Sequence, residues 1–171
     1  WYVKMTDKHL SLEEEISHLA EQLFKNDIKR RARFADRLLD ICTRLPGKDI
    51  LLVHVPGGFG STPLEHLLQW ERSIVDGVSD AIEQLGHSLV LTQYFRTEHS
   101  WWAHMRNLKE ESVFFFKGKL SETRIMVSEL KFIAQHFNNL KIILVGASQG
   151  AAFSNAVMRQ LGELSQVYSI E

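Results

Sequence analysis

Three short, nearly unbroken apolar runs constrain this chain more than any other feature: Asp49–Val55 (DILLVHV), Ser88–Tyr94 (SLVLTQY) and Leu140–Val145 (LKIILV). A run that is apolar at odd and even positions alike reads as a strand buried on both faces. The segments between them carry apolar residues at helical spacing. A helix is expected from the capping box Thr62-Pro63-Leu64-Glu65 to Gly86, on Leu64, Leu67, Leu68, Ile74, Val75, Val78, Ile82 and Leu85. A second spans about Ser121 to Phe137, with Met126, Leu130, Ile133 and Phe137 on one stripe, and a third runs from about Gln149 to Leu161. Gln166 to Ile170 begins a fourth strand. Strands alternating with helices imply parallel crossovers, so the fold class is α/β, a mostly parallel sheet with helices on both faces.

The first 45 residues carry a different pattern. Ser11-Leu12-Glu13-Glu14 is a capping box, and Leu12, Ile16, Leu19 and Leu23 recur after it at helical spacing. A second stripe, Ile28, Ala32, Ala35, Leu39 and Cys42, ends at Pro46-Gly47. The expected organisation is an N-terminal helical hairpin over 1–45, packed against a partial α/β core over 46–171. Residues 95–120 are less regular. They hold Trp101, Trp102 and Val113-Phe114-Phe115-Phe116, a further strand or an extended loop whose aromatics line an acyl pocket or pack as core or lid. A chain that opens on Trp1 and stops inside a strand is expected to be part of a longer protein.

Composition narrows the class of partner. Lys+Arg total 20 and Asp+Glu 21, a formal net charge of -1, which gives no general attraction to nucleic acid or an anionic membrane. The basic cluster Lys29-Arg30-Arg31-Ala32-Arg33, with Arg37, reads as a solvated helix face. No apolar run reaches the roughly 20 residues that span a bilayer. Cys42 is the only cysteine, so no intrachain disulfide or cysteine-based zinc site can form, and a cytoplasmic location is expected. No metal site and no cofactor are expected.

The chemistry concentrates at Gly146-Ala147-Ser148-Gln149-Gly150, between an apolar strand and the small-residue helix start Gly150-Ala151-Ala152. A serine on such a turn holds a strained backbone, and the residues two before and two after must be small for strand and helix to pass. The turn lifts the Ser148 hydroxyl above the sheet. It also presents the Gln149 N–H at a helix N-terminus, where the dipole favours an oxyanion.

Over residues 49–171 this arrangement resembles the α/β-hydrolase superfamily, and the Gly-x-Ser-Gln-Gly variant is similar to the elbow of its carboxylesterase and acyl-thioesterase branches. The strand ending Leu52-Val53-His54, with Pro56-Gly57-Gly58-Phe59-Gly60 after it, matches the place of the family's His-Gly loop, which supplies the second oxyanion donor. The resemblance implies Ser148 as nucleophile and an oxyanion hole from the amides of Gln149 and of Gly58 or Phe59; Pro56 has no N–H to give. It also implies the strand order 88–94, 50–55, 141–145, 166–170, with the last strand at an edge that a further segment or a second copy of the chain would cover. The helical hairpin replaces the antiparallel strands that usually open the family's fold.

The triad is where the chain departs from that pattern. The family order is nucleophile, acid, histidine, yet only Glu163 and Glu171 come after Ser148 as carboxylates, and all eight histidines precede it. Glu171, at the end of the last strand, is the candidate acid; Glu163 reads as a surface residue. His54 reads as structural, orienting the oxyanion loop. His99 and His104 flank Trp101-Trp102 at a spacing wrong for two ligands on one helix face. Gly57-Gly58-Phe59-Gly60-Ser61-Thr62 could cradle a phosphate, but lacks the P-loop lysine and the dinucleotide spacing. Two functions are therefore expected. One is a serine hydrolase acting on a small-molecule ester or thioester, its histidine and acid supplied by a C-terminal part. The other is a hydrolase-like domain that binds or scaffolds without turnover.

Overall fold

Alternate residues of a strand face opposite sides of its sheet, so a strand without polar positions needs cover on both. The computed structural model describes residues 10–96, 122–162 and 164–171, and in it the apolar runs form strands. These are β1 (Ile50–Val55), β2 (Leu89–Gln93), β3 (Lys141–Gly146) and β4 (Val167–Ile170). They make one parallel sheet in the order β2-β1-β3-β4. In register, Ile50 stands beside Leu89 and Lys141, His54 beside Gln93 and Val145, and Val145 beside Ile170. Every residue of β1 is buried.

Helices α1 (Leu12–Phe24), α2 (Ile28–Arg44), α3 (Gln69–Gln84), α4 (Glu122–His136) and α5 (Gln149–Leu161) complete the described elements. One face of the sheet carries Ile50, Leu52 and Val145, packed with Val78 and Ile82 of α3. The alternating residues Thr92 and Tyr94 face the other way, and Tyr94 stacks on Phe153 of α5, ring centroids 5.7 Å apart. Helices thus cover both faces, as the alternation predicts. The segment 97–121, with His99, His104, Trp101, Trp102 and Val113–Phe116, and Glu163 lie outside the described residues.

The chain divides into two compact units, Trp1–Thr43 and Arg44–Glu171. In the first, the Ser11 hydroxyl and the Glu14 carboxylate close the expected capping box. Phe24 meets Phe34 at 5.5 Å, and Arg30 lies over the Phe24 ring. The α2 stripe differs from the expected one. Its buried residues are Phe34, Leu38, Ile41 and Cys42, while Ile28 is 76% exposed and Ala32 is exposed. Two bulky residues, Phe34 and Leu38, bury more apolar surface than two alanines, so they set the inward face.

The helix expected to run unbroken from residue 62 to 85 also differs. Leu64–His66 is a single 3-10 turn, Leu67 and Leu68 are extended, and α3 begins only at Gln69. Contacts from distant residues hold the break open. The Gln93 side chain accepts the Leu64 N–H at 2.8 Å, and Arg72 donates to the Leu64 carbonyl at 3.1 Å. The stripe that α3 buries is Glu71, Val75 and Ile82, with Leu68 and Ile74 turned to solvent.

Candidate functional site

From β1 the chain moves to β2 on one side, then crosses back to β3 on the other, so its direction reverses between the carboxyl ends of β1 and β3. Loops leaving two strands at such a point diverge and open a crevice. Here the loops are Pro56–Pro63 after β1 and Ala147-Ser148 after β3.

Ser148 stands between β3 and α5 with φ 56° and ψ -121°. Among the described residues only Lys25, in the turn after α1, shares a positive φ without being glycine. An L-residue in this region carries about 1–3 kcal/mol of strain, which the surroundings must impose. Two glycines impose it. A Cβ on Gly146 would stand 2.6 Å from the Gly150 carbonyl carbon, and one on Gly150 would overlap the Val55 carbonyl oxygen at the end of β1. The turn is tight because strand, elbow and helix touch backbone to backbone. Ser148 is exposed, and its hydroxyl makes no capping bond to α5.

The loop after β1 closes on itself through Gly60 N–H to the Gly57 carbonyl, 3.0 Å, with Gly58 at φ 52°. It approaches the elbow so closely that a Cβ on Gly57 would lie 3.1 Å from the Ala147 carbonyl oxygen. The Gly57 N–H is committed: it donates to Glu71 Oε1 at 2.8 Å. On the opposite side of the same trans peptide, the Pro56 carbonyl accepts from Arg96 Nη2 at 2.9 Å, and the Gly58 carbonyl accepts from that nitrogen at 2.7 Å. The Arg96 guanidinium lies 5.7 Å from the Phe153 ring centroid. Pro56 has no N–H and the Gly57 N–H is given to Glu71, so the next amide along the loop is that of Gly58. The Gln149 N–H, at the first turn of α5, has no carbonyl four residues back within the helix.

His54 is 1% exposed and fully engaged. Its Nε2 meets Glu71 Oε1 at 3.2 Å, and its Nδ1 meets Gln93 Nε2 at 3.0 Å. Gln93 accepts the Leu64 N–H through Oε1, which fixes its Nε2 as the donor, so Nδ1 accepts and Nε2–H donates to Glu71. Burial pushes the His54 pKa below 6.5, opposed by the Glu71 charge and hydrogen bond. The imidazole is therefore neutral and held by side chains other than Ser148, which fits a structural part.

The other candidate residues lie at the edges of this crevice or away from it. Phe59 is 43% exposed at the tip of its turn. Glu171 lies past the carboxyl end of β4, accepting from the Ser169 hydroxyl at 2.8 Å and from Asn155 at 3.4 Å. His136 is stacked on Phe132 within α4, and His18 bonds Gln22 within α1. No histidine among the described residues hydrogen-bonds Ser148 or Glu171. Sequence reasoning missed Glu71, Gln93 and Arg96. Glu71 did leave a signal: it sits four residues before Val75 and eleven before Ile82, an acid on the apolar stripe.

No helix among the described residues is long and apolar enough to cross a membrane, and no group of three His, Cys, Asp or Glu among them could hold a metal ion. No protein-family model matches the chain, and no curated protein or solved structure matches it.

Proposed function

We propose that this chain carries the nucleophile and oxyanion parts of an α/β-hydrolase-type serine hydrolase acting on a carboxylic ester or thioester. One observation carries the proposal: Ser148 holds a positive φ at the strand-to-helix elbow, with its hydroxyl exposed and not spent on capping. In such a step the Ser148 oxygen attacks the acyl carbon while a base takes its proton. The carbonyl oxygen, gaining charge, settles between the Gln149 N–H and the Gly58 or Phe59 N–H. The base is a histidine outside the described residues, and Glu171 is the candidate acid beside it. A buried Cys42 outside any disulfide fits a reducing, cytoplasmic setting. The β4 edge, with Tyr168 48% and Ile170 42% exposed, is the surface on which a further strand or a second copy would pair.

The test is labelling with a fluorophosphonate probe. The intact natural protein should label at Ser148, and Ser148→Ala should abolish it. If the base lies beyond these 171 residues, labelling of the 171-residue chain should be slow and should accelerate with added imidazole at pH 8, the free base taking the place of the histidine. Fast labelling without imidazole would place the base within these 171 residues, with His99 and His104 the first candidates, resolved by replacing each with alanine. The second reading, a domain that binds without turnover, is favoured by the lack of a histidine at Ser148 among the described residues. It prevails if neither the intact protein nor the imidazole-supplied chain labels.

A further inference from the structure

A loop rich in glycine and closed by one turn bond has many conformations of similar energy. The Pro56–Gly57 peptide has one, because both its ends are held: the carbonyl by Arg96 Nη2 at 2.9 Å and the N–H by Glu71 Oε1 at 2.8 Å. The two partners come from different elements, Arg96 from just past β2 and Glu71 from the first turn of α3. Glu71 is 7% exposed, and a carboxylate so buried is costly unless its oxygens accept hydrogen bonds. Oε1 accepts two, from Gly57 N–H and from His54 Nε2–H. His54 is in turn aimed by Gln93, whose side chain also reaches the Thr62 carbonyl at 3.3 Å and the Leu64 N–H. A fold needing only to fill this space would place an apolar residue on the α3 stripe. The acid instead ties the amide of Gly57, the residue where a Cβ would lie 3.1 Å from the Ala147 carbonyl oxygen.

We propose that Glu71, aimed by His54, is the positioning residue of the loop after β1: by taking the Gly57 N–H it sets the next amide, that of Gly58, toward the oxyanion position beside Ser148. This rests on Ser148 being a nucleophile. Were the Gly57 amide released, the peptide could rotate, and the donor beyond it would move with it. An oxyanion donor acts on the transition state, so its misplacement should slow the covalent step without weakening the encounter complex.

The experiment measures kinact and KI for fluorophosphonate labelling of the protein, with amide hydrogen exchange of Gly57 tracked by NMR on the same chain. Glu71→Leu should lower kinact about tenfold or more at unchanged KI, and Gly57 should lose its protection. Glu71→Gln, which keeps volume and an acceptor oxygen, should restore both to within about threefold of wild type. Because Glu71→Leu strands the His54 N–H in the core, the double variant Glu71→Leu/His54→Phe is measured beside it. That pair replaces both polar partners, so it should fold and still show the lowered kinact. Wild-type kinact in the folded double variant, or a Gly57 amide unprotected in the wild type, overturns the proposal. If the wild type does not label but Gly57 loses protection in Glu71→Leu and keeps it in Glu71→Gln, the anchor stands and the hydrolase function falls.

Discussion

At Ser148, strain and function can be separated by two substitutions. Its φ of 56° and ψ of -121° suit glycine and penalise any residue with a Cβ. Ser148→Gly should therefore raise stability by about 1 kcal/mol, the relieved strain less the entropy that glycine loses on folding. Ser148→Ala keeps the Cβ and should show no such gain. Urea denaturation read as a midpoint shift at constant slope distinguishes them. Equal stability for the two variants would mean that the elbow is not strained, and the main support for a nucleophile would be gone. Both variants should lose fluorophosphonate labelling, because both lack the hydroxyl.

Among the elements, the elbow works only if β1, β3 and α5 approach at backbone distance. Gly150→Ala drives a Cβ into the Val55 carbonyl, which belongs to a strand buried on both sides and cannot yield cheaply. A loss of about 2–3 kcal/mol is expected. Gly77, in the middle of α3, meets nothing within 4 Å and has an ordinary helical φ, so Gly77→Ala should instead stabilise by about 0.5–1 kcal/mol. Opposite signs from one substitution type, measured by thermal or urea unfolding, test the geometry; two losses of equal size would refute it. The elbow's place was legible because its causes are local: an apolar strand, a small-x-Ser-x-small turn and a helix start within about fifteen residues. The four strands were legible for the same reason. What was not legible depended on contacts between distant residues. The break between Leu64 and Gln69 overrides a local capping signal through Gln93, 29 residues on. Likewise His54 meets Glu71 across 17 residues and Gln93 across 39, so no window of sequence contains the network.

For the molecule as a whole, that network makes stability depend on pH in a definite direction. His54 links β1, β2 through Gln93, α3 through Glu71 and, through Glu71, the loop at Gly57, so charging it disturbs all four together. Protonation would place a second N–H on Nδ1, against the Gln93 N–H that Nδ1 now accepts. The folded-state pKa lies below 6.5, with desolvation the largest cause and Glu71 opposing it. Between that lowered value and 6.5 the unfolded chain binds a proton that the folded chain does not, so stability rises with pH through this window. His54 therefore imposes no penalty above 6.5 and a growing one as pH falls below it, at most about 1.4 kcal/mol per pH unit for one proton. For a chain of this size that is about 4 °C in Tm per pH unit at its steepest. Asp49 does not blur the window. The Ser88 N–H and hydroxyl hold its carboxyl below 3.8, so its stabilisation is complete above that value and is lost only at lower pH. Melting between pH 7.5 and 4.5 should thus show a falling Tm for the wild type. His54→Gln, less stable at neutral pH, should show a shallower fall, because it has no proton to gain at this site. Parallel curves for the two would place the acid sensitivity elsewhere and remove the argument that His54 is held neutral.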